Sequence, residues 1–380
     1  MRILIAGGGT GGHLYPGIAL GRELVRRDPA AEVSFVGTAA GIESRVVPRE
    51  GFALDLIRVA GLKGKGRAEQ LRGVLLLPTA AADAWRVISR RRPDVVVGVG
   101  GFASGPVLAL AAVRGYPTML LEQNALPGLT NRLLARFVRA AAVNFEDALS
   151  YFPRTGFVAG NPVRPEFFAA QNEEANDPFD SIDAAGGLEL TQGRSPRDAG
   201  RVLICGGSQG AHALNVAMVA AASRLAATGL QLAITHQTGE RDLELVRTAY
   251  ADAGLAARVE AFIFEIDRAM KAADLVICRA GATTLAELTA SGRPAILVPL
   301  PTATDDHQRK NAEVLGRAGA GLVIEERDLS GERLAAIIAM LVGDPERRRQ
   351  MSAAARTLAR PDAAARIADR VEELGGRRAG

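Results

Sequence analysis

Arg2-Ile-Leu-Ile-Ala-Gly-Gly-Gly-Thr-Gly-Gly-His13 and Arg201-Val-Leu-Ile-Cys-Gly-Gly-Ser-Gln-Gly-Ala-His212 are two versions of one local design, about 200 residues apart. Each is a short apolar run that ends in glycines and leads into a helix-forming stretch. An apolar run without polar alternation predicts a strand covered on both faces, as in a parallel sheet. The glycines let the backbone approach a ligand, and the following helix turns its first N–H groups toward an anion. The duplication predicts an α/β chain of two Rossmann-like, doubly wound parallel-sheet domains, facing each other across a cleft over one phosphate-rich substrate. GGGTGGH lacks the Gly-Lys-Ser/Thr of a P-loop and breaks the strict GxGxxG fingerprint.

Outward from these loops the pattern continues. Strands are predicted at 2–7, 32–37, 53–59, 94–99, 118–121 and 141–145, and again at 201–205, 230–235, 258–263, 274–278, 295–299 and 321–324, with helices between them. The chain has 380 residues, 48% of them hydrophobic, enough for two cores. Residues 171–200 carry no sustained apolar period and read as a linker or surface excursion. Two helical stretches close the chain, and one is expected to return to the first domain. The two cysteines, Cys205 and Cys278, lie inside apolar runs and read as buried thiols in a reducing compartment. No signal peptide is expected before the first strand. A net charge of +4 is mild for a nucleic-acid binder.

The chemistry-bearing residues follow strand ends. His13 stands where the first loop meets its helix, as a base, a ligand or a capping residue. Ser208, with Gln209 beside it, could meet a phosphate oxygen. In Cys278-Arg-Ala-Gly-Ala-Thr-Thr-Leu-Ala-Glu287 a strand ends near Gly281 and a helix starts at once. Thr283 and Thr284 fall in its first turn, and Glu287 one turn on is placed for a ribose diol or for solvent. After 295–299, Asp305 is a plausible N-cap for a helix carrying His307, Gln308 and Asn311. The two amides, three residues apart, suit sugar hydroxyls. Glu122, Gln123, Asn124 and Asn131 cluster after another strand, and Gly100-Gly101-Phe-Ala-Ser104 ends a further one. No HExxH, Cys pair or His cluster predicts a metal. Residues 61–88 join a basic, glycine-rich start (Lys63, Lys65) to an apolar run with Leu75 and Leu76 and then to Trp85. They read as an interfacial membrane anchor or as a core helix with a basic exterior.

Together GGGTGGHLYPGIAL, GLKGKG, GVGGFASGP, LLEQNALPGLTN, VAGNPVR, CGGSQGAHALN, HQTGE, CRAGATTLAEL and DDHQRKNA resemble the MurG family of N-acetylglucosaminyltransferases, in that family's order over nearly the whole chain. The resemblance implies a GT-B fold and transfer of GlcNAc, with inversion, from UDP-GlcNAc to the C4 hydroxyl of MurNAc in lipid I, giving lipid II and UDP. It implies domains at 1–165 (acceptor and membrane, joined by a tail helix at about 361–378) and 201–345 (UDP-GlcNAc), with a linker or insertion at 166–200 and a crossover helix at 346–360. It places Thr10, Gly11 and Gly12 at the donor or transferring phosphate, Asn124 near the GlcNAc and Arg164 in the cleft. Ser208 is implied at the diphosphate with Gly281, Ala282, Thr283 and Thr284, Ile263 at the uracil through its backbone, and Glu287 at the ribose. Gln308 with Asn311 would hold the sugar end, with His307 less firmly assigned. The motif does not settle the general base; His13 is the first candidate and Glu122 the second.

No cofactor or essential metal is implied. The implied partners are an anionic membrane surface and other cell-wall and division proteins, with no nucleic acid. The implied location is peripheral, on the cytoplasmic face of the bacterial inner membrane. The 171–200 stretch is longer than the family's usual interdomain segment. Rival readings are another GT-B glycosyltransferase, a UDP-GlcNAc 2-epimerase, and a dinucleotide oxidoreductase using Glu32.

Overall fold

The computed structural model describes residues 1–59, 76–168, 199–207 and 210–376. The chain divides into two compact units, Met1–Val163 with Arg360–Gly380, and Arg164–Ala359. Arg164 and Pro165, expected at the end of the first domain, stand in the second unit. Most of the 166–200 segment lies outside the described residues.

The first unit is built on β1 (Arg2–Gly7), β2 (Glu32–Gly37), β3 (Ala53–Leu56), β4 (Val95–Gly100), β5 (Thr118–Glu122), β6 (Ala140–Val143) and β7 (Gly156–Val158). They pair in parallel in the order β3-β2-β1-β4-β5-β6-β7. The unbroken apolar runs have a direct cause. Ile3, Ile5, Val95, Val97 and Val99 enter the core on one face of the sheet, while Leu4, Ala6 and Val96 enter that on the other. Helices α1 (Gly11–Arg27), α2 (Glu43–Arg49), α3 (Leu77–Arg91), α4 (Ser104–Val113) and α5 (Leu129–Leu134) cover it. The last helix of the chain, Ala363–Gly376, adds Ile367, Ala368, Val371 and Leu374 to the core beside α1. Arg27 of α1 reaches Asp369 at 2.7 Å and Glu372 at 3.1 Å.

The second unit repeats the plan. β8 (Gly200–Cys205), β9 (Leu232–Gln237), β10 (Ala256–Glu260), β11 (Leu275–Cys278), β12 (Ala295–Leu297) and β13 (Gly321–Val323) run parallel in the order β10-β9-β8-β11-β12-β13. Helices α6 (His212–Ala227), α7 (Leu243–Asp252), α8 (Ile266–Ala272), α9 (Ala282–Ser291), α10 (His307–Arg317), α11 (Gly331–Gly343) and α12 (Pro345–Leu358) complete it. α12 starts as its sequence predicts: Pro345 occupies the first turn and the Asp344 carboxylate accepts the Arg347 N–H at 2.8 Å. The chain's closing helix is α13 (Ala363–Gly376). In each sheet the strand order reverses beside the first strand, between β1 and β4 and between β8 and β11. Open α/β sheets bind ligands at the carboxyl ends of strands at such a point.

Several element ends differ from expectation. The strand expected at 53–59 stops at Leu56, and that expected at 258–263 lies at Ala256–Glu260. β7, three residues long, was too short to show as a period. α1 opens at Gly11, which puts His13 in its first turn. Cys205 and Cys278 are buried, as their strand positions required, and lie in register on adjacent strands.

Candidate functional site

In the first unit the loops after β1, β4 and β5 share one sheet edge. The Thr10 side chain does not cap α1; its hydroxyl instead lies 3.2 Å from Nδ1 of His13. When Nδ1–H donates to that hydroxyl, Nε2 carries the lone pair that a base needs. The His13 ring lies over the exit of β4, where an added Cβ on Gly100 would sit 2.5 Å from Cδ2 and 3.0 Å from Nε2. Gly100 has φ +95°, so both its backbone and the ring above it require glycine.

The first glycine loop is held from within. Gly8 N–H donates to the Gly100 carbonyl at 3.2 Å, and Gly9 N–H to the buried Glu43 carboxylate at 2.7 Å. Glu43 also accepts from Thr38 N–H at 2.8 Å and from its hydroxyl at 3.0 Å. Two of the loop's amides are therefore committed to shaping it.

Glu122 is a different kind of residue from His13. Its buried carboxylate accepts from Asn124 N–H at 3.0 Å, Asn124 Nδ2 at 3.1 Å, Gly128 N–H at 3.2 Å and Asn131 Nδ2 at 2.8 Å. Burial pushes its pKa up, and these donors oppose the shift. With four donors on two oxygens, Glu122 organises the 122–131 loop, and Asn131 serves the carboxylate. Asn124 is only partly buried. Gln123 Nε2 donates to the Val99 carbonyl at 2.9 Å and ties this loop to the exit of β4.

In the second unit Gly281 precedes α9 and offers no side-chain acceptor to its first turn, formed by Ala282, Thr283 and Thr284. Glu287 follows on the next turn. Burial pushes its carboxyl up to about 7; the Arg164 charge pulls it down and Asp267 pushes it further up. Arg164 thus faces the Glu287 carboxylate electrostatically, and its guanidinium lies 5.1 Å from the Phe167 ring centre. Ser208 and Gln209 lie outside the described residues. The flanks of their loop are fixed by β9: Gln237 Nε2 donates to the Gly207 carbonyl at 2.7 Å. Gly210 has φ +74°, and a Cβ there would fall 2.0 Å from the Thr238 carbonyl oxygen. Ile263 is buried, and its N–H reaches Gln237 Oε1 at 3.4 Å.

The 299–311 segment departs from expectation. Asp306, not Asp305, immediately precedes α10, and it makes no side-chain cap. Its carboxylate pairs with Arg309. Both aspartates hold left-handed backbone, φ +55° and +57°, a strained conformation that Asp tolerates better than most residues. Gln308 Oε1 accepts the Leu300 N–H at 3.0 Å. Asn311 is fully buried, and its Nδ2 donates to the Ala280 carbonyl at 3.3 Å. It therefore holds the loop that leads into Gly281 rather than presenting its amide at the surface. His307 lies partly exposed on the first turn of α10.

Lys63, Lys65 and Leu75 lie outside the described residues, and Leu76 is half-buried just before α3. Trp85 is 52% exposed, with the Arg114 guanidinium 4.2 Å from its ring centre. No helix among the described residues is long and apolar enough to cross a membrane. Among those residues no three His, Cys, Asp or Glu side chains converge on a point where an ion could sit.

Sequence reading missed Glu43 and Gln237. Each acts on a loop far away in the chain, so no local motif marks it; Gln237 sat unremarked inside HQTGE. Gly100 was legible as a strand end, but not its contact with the His13 ring.

Residues 3–143 match the model of the glycosyltransferase family 28 N-terminal domain, and residues 201–367 that of the family's C-terminal domain. The chain is 49% identical, over 100% of its length and 94% of the relative's, to a protein of Anaeromyxobacter dehalogenans (strain 2CP-C) named UDP-N-acetylglucosamine--N-acetylmuramyl-(pentapeptide) pyrophosphoryl-undecaprenol N-acetylglucosamine transferase. A protein of the same name from Myxococcus xanthus (strain DK1622) is 47% identical over 97% of this chain and 92% of its own. Among solved structures, MurG of Acinetobacter baumannii superposes with a TM-score of 0.75 at 28% identity, covering 98% of this chain and 99% of that one.

Proposed function

The chain belongs to the UDP-N-acetylglucosamine–N-acetylmuramyl-(pentapeptide) pyrophosphoryl-undecaprenol N-acetylglucosamine transferases of glycosyltransferase family 28, and from that premise we propose how its residues perform the transfer. The enzyme moves GlcNAc from UDP-GlcNAc to lipid I and releases lipid II and UDP. The observation that carries the reading is the β11–α9 junction. An N-terminus with no side-chain cap at Gly281 stands one turn before Glu287, as a diphosphate followed by a ribose requires.

In this reading the second unit binds the donor. The amides and hydroxyls of Ala282, Thr283 and Thr284 take the diphosphate, Glu287 accepts from the ribose diol and the Ile263 backbone meets the uracil. Ser208 and Gln209 complete the diphosphate site, Arg164 lies beside Glu287, and Gln308 and His307 serve the sugar. As the C1–O bond breaks, charge grows on the departing UDP, and the α9 N-terminus stabilises it most at that moment. His13 Nε2 takes the proton of the incoming C4 hydroxyl, and the α1 N-terminus at Thr10, Gly11 and Gly12 lies next to it. Glu122 acts through the loop that carries Asn124. Because the helix termini neutralise the diphosphate, turnover needs no divalent cation. Activity that persists in EDTA supports this part, and a strict magnesium requirement refutes it.

The acceptor is a lipid, and the enzyme works as a peripheral protein at the cytoplasmic face of the membrane. Trp85 and Leu77, large apolar side chains exposed on α3, support this reading, since such side chains suit an interface.

The deciding assay supplies labelled UDP-GlcNAc with a short-chain lipid I analogue. Labelled disaccharide lipid is expected. UDP-ManNAc formed from the donor alone, without acceptor, would establish the epimerase alternative instead.

A further inference from the structure

We infer that Gln237 is a positioning residue that fixes the diphosphate loop and the base-contacting loop of the donor site to each other. The inference deepens the donor-binding reading of the second unit and rests on it.

Gln237 is the last residue of β9 and is buried, 4% exposed. Its amide makes two different bonds. Nε2 donates to the Gly207 carbonyl at 2.7 Å, and Oε1 accepts from Ile263 N–H at 3.4 Å. These partners fix the orientation of the amide, because a carbonyl can only accept and an N–H can only donate. Gly207 belongs to the glycine loop after β8, and Ile263 to the loop after β10. β9 lies between those two strands in the sheet.

The backbone reinforces the link. Thr238 N–H donates to the Glu260 carbonyl at 2.9 Å and Gly239 N–H to that of Ala261 at 3.1 Å, while Gly210 packs against the Thr238 carbonyl. The strand end is itself immobilised from below. Asn215 Nδ2 donates to the Thr238 carbonyl at 2.9 Å and to Asp242 at 2.8 Å. His236 lies between the Tyr250 hydroxyl, 2.8 Å from Nδ1, and Asn215 Oδ1, 3.1 Å from Nε2, and burial holds its pKa down at about 3. A neutral imidazole that accepts at one nitrogen and donates at the other fits both partners. One side chain on a rigid base thus sets the spacing between the loop that meets the phosphates and the loop that meets the base.

The test compares uridine, which lacks the diphosphate, with UDP as inhibitors of UDP-GlcNAc turnover, in wild type, Gln237→Leu and Gln237→Glu. Leucine removes both bonds. Glutamate keeps the acceptor for Ile263 but cannot donate to Gly207. Gln237→Leu is expected to raise the KM for UDP-GlcNAc about 10- to 100-fold with kcat within about twofold, two hydrogen bonds each being worth up to about tenfold. Gln237→Glu is expected to keep uridine affinity within about twofold while losing most of the additional affinity that the diphosphate gives UDP.

Wild-type KM in a folded Gln237→Leu enzyme overturns the inference. So does an equal loss for uridine and UDP in both variants that tracks a fall in melting temperature, which is the mark of a merely structural residue. Glu287→Ala separates the two levels. If it weakens UDP while Gln237→Leu does not, only this inference fails. If the wild-type enzyme binds neither UDP nor uridine, the donor-site reading fails with it.

Discussion

His13 and Glu287 make opposite demands on their surroundings, and each supports its own prediction. His13 keeps one ring nitrogen on the Thr10 hydroxyl and lies over a strand exit with no side chain. His13→Ala is expected to lower kcat by about 10²–10⁴-fold, the usual worth of a positioned base, with UDP-GlcNAc affinity nearly unchanged. Single-turnover rates and calorimetric donor titration check both halves, and unchanged turnover removes the base role. Glu287 carries a carboxyl raised to about 7 by burial. A ribose diol donates to the ionised form, so UDP-GlcNAc binding should weaken as pH falls through about 7, by up to tenfold per unit below it. Glu287→Gln should bind weakly at every pH and lose that slope. Stability runs the other way. The native state holds this proton more tightly than the unfolded chain, whose carboxyl titrates near 4.5, so the unliganded enzyme loses stability as pH rises from 4.5 to about 7. Thermal melts across that range check the sign.

At the scale of elements, the strand exits decide what the loops can do. A methyl group at the end of β4 would meet the His13 ring at 2.5 Å and would also sit on a positive-φ backbone. Gly100→Ala is therefore expected to depress turnover at least tenfold with a much smaller effect on UDP affinity, since the loops proposed to bind the nucleotide belong to the other unit; equal losses in both would argue for general unfolding. The 122–131 loop makes a parallel case. Glu122→Ala strands four donors, whereas Glu122→Gln keeps an oxygen for some of them, so the alanine variant should be the less active and the less stable. If glutamine were as damaging to kcat as alanine while the fold held, the carboxylate's proton chemistry would matter more than its hydrogen bonds.

The strands and the glycine loops were legible in the sequence because both are local. Ile3 and Leu4 must both be apolar when opposite faces of a sheet are covered, and the Gly-rich turn follows at once. The supports of those loops were not legible. Glu43 holds a backbone 34 residues away, and Gln237 one 30 residues away. The spacing of Asn311 to Gln308 was legible, but that it is buried and that its Nδ2 donates to the Ala280 carbonyl only the packing of α10 could reveal.

For the whole molecule, the connectivity matters more than any single contact. The chain leaves the first unit at Val163 and re-enters it at Arg360. Its closing helix then buries Ile367, Ala368, Val371 and Leu374 against residues near the other terminus. Ile367→Ala should cost about 2–5 kcal/mol of the first unit's stability and leave UDP affinity to the second unit untouched. Calorimetric unfolding in the presence and absence of UDP checks this, and a loss of nucleotide affinity would contradict it. The same thread has a consequence for birth on the ribosome. The amino-terminal sheet is translated first, yet one wall of its interior is supplied by a helix that emerges only after the whole second unit. The contiguous second half can finish while the first still waits for its closing helix, so nascent chains should mature back to front, against the usual amino-to-carboxyl order.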